Sequence, residues 1–269
     1  MPASPTRRCS STRANAPSTR TTATWCCNAL PARPKGMSPS AAFPTERLSM
    51  DSETTLIALI NRQFLYELLA RAYAVEPDEQ FLGILREPHT REEVGLVSHE
   101  LTDSILGEFS TAAAAANDGS IASLRHDYVN IFVGPGTLKA DPWESVHLSH
   151  TRALFQQELL PIRDAYRAAG FLPARYPHVQ DDYIGLELDF LAKLAGAARA
   201  EWEAGNAAAA QERLAQSKAF LEEHLLLWID SLAQAIEREY GDGFYARFTK
   251  LSGLIAKRDA DILEALLSI

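Results

Sequence analysis

Residues 51–76 read DSETTLIALINRQFLYELLARAYAVE. Ile57, Ile60, Phe64, Leu68 and Ala72 recur at spacings of three and four, which places them on one face of an α-helix. Asp51 or Ser52 can cap its start. Glu76-Pro77 ends it, because the residue before a proline avoids the helical region. The same period continues outward. Pro77 opens a short helix to about Arg86, and a third helix spans about 91–115. Asn117-Asp118-Gly119 reads as a turn, and a fourth helix runs from about Ser120 to Phe132. Gly134-Pro135-Gly136 breaks it. Asp141-Pro142-Trp143-Glu144 reads as N-cap, N1, N2 and N3 of a helix reaching Ala169, with Gly170 placed to end it. A loop with Pro173 and Pro177 follows. Asp181 or Asp182 then caps a helix to about Ala204, and Gly205-Asn206 separates it from a long helix over 207–239. Gly241 and Gly243 precede a last helix from Phe244 to Leu267. No stretch alternates like a strand and no repeat period appears, so the expected fold is all-α, a single helical domain over residues 50–269.

Charge divides the chain in two. Seven of its 26 basic residues and one of its 35 acidic ones lie in residues 1–49, which leaves 19 and 34 beyond them, a net of -15. An acidic body argues against a nucleic-acid partner, which needs basic patches to displace counterions. It suits a basic partner, which its field attracts. The longest apolar stretch of the C-terminal half, Leu225 to Ile229, is far too short to span a bilayer, so no membrane insertion is expected.

The first 49 residues are another kind of sequence, rich in Ser, Thr, Ala, Pro and Arg and without helical or strand period. Such a segment buries too little apolar surface to offset its ordering entropy, so disorder is expected there. Arg7-Arg8 lacks the apolar region that an export signal needs. Two readings stay open: a transit peptide, or an over-long translated start with the true one at Met37 or Met50. Cys9, Cys26 and Cys27 all lie here, so the body is expected to hold neither a disulfide nor a thiolate metal site. Deleting residues 1–49 should leave folding and binding intact. A large drop in melting temperature on deletion would contradict this.

Two segments stand out as candidates for function. The first is Tyr128-Val129-Asn130-Ile131-Phe132-Val133-Gly134-Pro135-Gly136, continuing to Pro142-Trp143-Glu144-Ser145-Val146-His147-Leu148. The second is His178-Val179-Gln180-Asp181-Asp182-Tyr183-Ile184-Gly185-Leu186-Glu187-Leu188. Together they resemble the TorD/DmsD/NarJ-type redox-enzyme maturation chaperones, most closely the TorD/DmsD branch. That family carries a motif like (Y/F)-x-x-L-F-x-G-P, then P-(Y/W)-x-S-V-(Y/W), and later P-x-D-H-(I/F)-G-x-x-L. Arg62 to Ala72 resembles its opening helix, and Phe220 to Trp228 its F-x-x-x-H-L-x-x-W segment. The resemblance spans roughly residues 55–240, with the motifs in order. Two departures fall in the second segment: Tyr183 stands where the family commonly has His, and Val179-Gln180 where it often has Pro.

The resemblance implies a cytoplasmic, non-enzymatic chaperone with a TorD/DmsD-like helical bundle. Its partners would be the twin-arginine signal peptide and the apo catalytic subunit of a molybdopterin oxidoreductase, held until the cofactor is loaded and then released for export. Monomer and swapped homodimer both stay open, and no cofactor of its own is implied. Physically, such a client is an Arg pair followed by an apolar stretch, and its receptor needs carboxylates for the guanidinium forks beside an apolar surface. Asp181, Asp182 and Glu187 offer the first; Phe132, Pro135, Trp143, Val146 and Tyr183 offer the second, and Pro142 and Ser145 of the same motif are expected in the peptide-binding site with them.

Plainer readings compete. The aspartates can be helix caps. Glu187 shares a stripe with Ile184 and Leu191 and can be a buried, paired structural acid. Trp143 is either core or a peptide anchor, and His224 reads as a core histidine near Trp228. His147 and His150 could face a metal, but no third ligand accompanies them. Gly134-Pro135-Gly136 lacks the Walker spacing, and neither Gly-x-Ser-x-Gly nor His-Glu-x-x-His occurs. The alternatives to the signal-peptide chaperone are therefore a NarJ-like assembly factor that binds a mature client domain, and a helical metalloenzyme using His147 and His150.

Overall fold

The computed structural model describes residues 52–107, 118–149, 160–173 and 180–268. The expectations for residues 1–49, for the turn at Asn117, for His150 and for Pro177, His178 and Val179 lie outside the described residues. Among the described residues the fold is all-α, as expected, with no strand. The helices are α1 (Ser52–Ala74), α2 (Glu79–Arg86), α3 (Pro88–Gly95), α4 (His99–Leu106), α5 (Asp118–Tyr128), α6 (Glu144–Leu148), α7 (Leu160–Ala168), α8 (Ile184–Glu203), α9 (Ala207–Phe220), α10 (Leu226–Tyr240) and α11 (Phe244–Leu267).

The opening stripe is only part of what α1 buries. Phe64, Leu68 and Ala72 are in the core, while Ile57 and Ile60 are half-buried. Leu59, Tyr66, Leu69 and Tyr73, on other sides, are sealed from solvent. A wide buried surface of this kind makes α1 a central helix, with Gln63, Glu67 and Arg71 on its half-exposed face; it packs along α8 and also meets α3 and α11. Its one buried cation, Arg62, donates from Nε to Asp259 Oδ1 at 2.5 Å and from Nη2 to Oδ2 at 3.1 Å, and Tyr66 Oη donates to the same carboxylate at 2.8 Å. α8, α9, α10 and α11 complete the core, with Phe190, Phe220 and Trp228 among its largest side chains.

Several boundaries differ from the sequence reading. Asp78, not Pro77, is the cap of α2, its side chain accepting from Phe81 N at 2.8 Å. The expected 91–115 helix is interrupted between α3, which Pro88 starts, and α4, which the Ser98 side chain caps, and its residues 108–115 lie outside the described residues. Asp118 and Gly119 lie within α5. α5 passes into a π-type turn, Val129–Val133, and Gly134 ends it with φ +62°, a conformation that suits glycine. The 207–239 helix is present as expected, continuous over 207–240, and passes through a second π-type turn, Leu221–Leu225, between α9 and α10. π-type turns inside helices often mark functional positions, and both of these lie in the family-like segments. Gly170 ends α7 as expected, at φ +73°. No described helix is long and apolar enough to cross a membrane.

Candidate peptide-binding site

The two motif segments meet through their backbones. Trp143 and Tyr183 form an isolated antiparallel bridge. Glu144 N donates to Asp182 O at 3.1 Å, and Ile184 N to Pro142 O at 3.0 Å. This corrects the capping expectations. Trp143, not Asp141, occupies the N-cap position of α6, and Tyr183 that of α8, neither with a side-chain cap. Pro142 and Trp143 are drawn into the bridge with residues 182–184, so the helix starts only at Glu144. Neither aspartate caps its own helix. Asp182 Oδ2 instead accepts from Ser145 N at 3.0 Å, capping α6 from across the junction. Asp181 accepts from Arg163 Nε of α7, while its carbonyl accepts from Tyr166 Oη at 2.8 Å.

Behind the junction lies a group of buried acids. Glu144, Asp182 and Glu187 are 7%, 1% and 0% exposed. His224 Nδ1 lies 3.1 Å from both carboxylate oxygens of Glu144, which ties α6 to the second π-type turn. Trp228 Nε1 donates to Glu187 Oε2 at 3.2 Å. Burial, and then the neighbouring Glu144, push the Glu187 carboxyl well above its ordinary range. Burial also raises Asp182, against the bonds it accepts from Ser145. Three buried polar atoms in the second segment have no hydrogen-bond partner: Gln180 Oε1, Asp182 Oδ1 and Glu187 Oε1. The first two are pure acceptors, in a protein interior where buried acceptors are nearly always matched.

The raised Glu187 has a consequence for stability. Its folded pKa lies above its unfolded value near 4.5, so the native state binds more protons in between, and stability falls as pH rises through that window. Glu187→Gln removes this term. The variant should melt above the parent at pH 8, with the gap closing toward pH 5. Thermal melts across that range check it, and a gap independent of pH would contradict it.

The remaining expected residues divide by exposure. Phe132 is core, its ring 5.6 Å from Tyr73 and 5.0 Å from Tyr245. Tyr183 is half-buried and its Oη donates to Tyr73 O at 2.5 Å, anchoring the second segment to the end of α1. The approach is tight: a Cβ at Gly185 would lie 2.7 Å from the Tyr183 ring. Trp143 and Val146 are half-buried and Pro142 is buried. Pro135 is exposed on its loop, next but one to Val133 at 58%. Leu148 and Leu227 are also exposed, on α6 and α10, which pack together. His147 Nε2 lies 2.7 Å from Asp141 O, and Nδ1 2.9 Å from Ser231 Oγ. A carbonyl only accepts, so Nε2 carries the proton and Nδ1 accepts from the serine. Both ring nitrogens are thus engaged, and among the described residues no group of three His, Cys, Asp or Glu is placed to hold a metal ion.

Reading the sequence did not single out Arg163, Tyr166 or the partner of Glu144. His224 is buried as expected, but 80 residues separate it from Glu144, and no local pattern signals such a pair.

A family model described as nitrate reductase delta subunit matches residues 91–234, more than half of the chain and the whole of both motif segments. The chain belongs to this family, the NarJ/TorD-like chaperones. It is also similar to the probable Tat proofreading chaperone DmsD of Haemophilus influenzae, at 23% identity over 189 residues, 69% of this chain and 83% of that protein.

Proposed function

We propose that this chaperone binds the twin-arginine signal peptide of a molybdopterin oxidoreductase in the cytoplasm and holds the apoenzyme for cofactor insertion before export. The observation that carries the reading is the set of donor-less buried acceptors, Gln180 Oε1 and Asp182 Oδ1, in the segment where the bridge joins Trp143 to Tyr183. A guanidinium brings five N–H donors in a planar fork, the complement of such a set. Asp181 and Asp182 take the arginines, with Glu187 behind them. Trp143, Val146, Tyr183 and Pro135 receive the apolar stretch, and Phe132, Pro142 and Ser145 support them from beneath. The acidic body steers the basic peptide inward. The chaperone needs neither a cofactor nor catalysis of its own. The likeness to the probable Tat proofreading chaperone of Haemophilus influenzae supports the same reading.

The nitrate reductase delta subunit description favours a second reading, an assembly factor for a mature client domain. Co-purification separates the two. The first requires the client apoenzyme to be retained with its signal peptide and lost without it. Equal retention of both forms supports the second.

A further inference from the structure

Arg163 holds the acid that the proposed site needs. It lies on α7, its side chain 26% exposed, and its Nε donates to the Asp181 carboxylate, which is 2% exposed. Three residues on, Tyr166 Oη donates to the Asp181 carbonyl. One face of α7 therefore clasps Asp181 at its side chain and its backbone. The guanidinium is the solvent-side member of the pair, and the adjoining Asp182 keeps Oδ1 without a donor.

We propose that Arg163 is a built-in surrogate for a client arginine, occupying Asp181 until the peptide displaces it. This rests on the signal-peptide reading above. A buried carboxylate left unpaired is costly, so an empty receptor of this kind needs a resident cation. Exchanging one guanidinium for another keeps Asp181 paired throughout. Arg163 can leave because its side chain already reaches solvent, whereas Asp181 cannot follow. The incoming fork gains a second acceptor in Asp182 Oδ1, which favours exchange in the forward direction. A lysine gives a point charge in place of the fork, so the exchange also selects arginine. In the free protein only the fraction with Arg163 displaced is competent, and apparent affinity is reduced by that fraction.

The test is calorimetric titration of a twin-arginine signal peptide into the full-length protein, its Arg163→Ala and Arg163→Lys variants, and Arg163→Ala in an Asp181→Ala background. Arg163→Ala should melt lower than the parent yet bind about tenfold tighter, with Arg163→Lys between. In the Asp181→Ala background the substitution should change affinity little. A purely structural arginine predicts the opposite sign, with affinity falling alongside melting temperature. Unchanged or weaker binding in a folded Arg163→Ala protein overturns the surrogate and leaves the peptide reading standing. No binding by parent and variants alike overturns both.

Discussion

Asp259→Ala should destabilise the folded protein by about 3–5 kcal/mol, the usual cost of leaving a buried charge without its partner. At this chain length that corresponds to a fall in melting temperature of roughly 6–20 °C. Arg62 is 2% exposed and cannot reach water when its carboxylate is removed. Tyr66 loses its acceptor in the same step. The pair joins the start of the bundle to its end, α1 to α11, across 197 residues of chain. A control separates lost pairing from lost packing. Replacing all three members by apolar residues, Arg62→Met with Tyr66→Phe and Asp259→Leu, should recover most of the stability, since apolar substitutes for buried pairs are often neutral or better. Equal destabilisation by the triple variant would assign the effect to packing.

Asp182 gives the second large effect, and two substitutions divide it. Asp182→Ala removes the acceptor of Ser145 N, which should cost about 1 kcal/mol as the loss of a helix cap. It also removes a carboxylate proposed to meet the client arginine, and peptide affinity should fall tenfold or more, as when one member of a buried charged pair is truncated. Asp182→Asn keeps an acceptor for Ser145 but not the charge. It should melt like the parent and still bind weakly. Asp181→Ala with Asp182→Ala should bind more weakly again while remaining folded. Parent-like affinity in a folded Asp182→Asn protein would remove this residue from the site.

These two acids show what was legible in the sequence. Asp181-Asp182 at a helix start suggested capping, and their position in a motif suggested binding. Their tertiary tasks were invisible, because Ser145 lies 37 residues from Asp182 and Arg163 lies 18 from Asp181. The helices themselves were readable where local signals act, as at Gly134 and Gly170, whose positive φ ends a helix. Periodicity identified α1, but not how far its burial extends beyond one stripe, since the tasks of Arg62 and Tyr73 depend on α11 packing against them. Proline misled twice. Pro77 precedes a cap instead of starting a helix, and Pro142 is held by the bridge to the second segment instead of opening α6. The π-type turns have no composition signal, yet they carry Phe132 against Tyr73 and Tyr245, and His224 against Glu144. Glu187 was the ambiguous one, and its 0% exposure agrees with the buried reading, while its unmatched Oε1 keeps it in the proposed site.

The measurement that tests the central claim most directly is calorimetric titration with the twin-arginine signal peptide of a molybdoenzyme from the same organism, beside its Lys-Lys variant. The account predicts micromolar or tighter binding of the native peptide, weakened at least tenfold, about 1.4 kcal/mol, when lysines replace the arginine forks. Equal affinity for both peptides, or none for either, would contradict it.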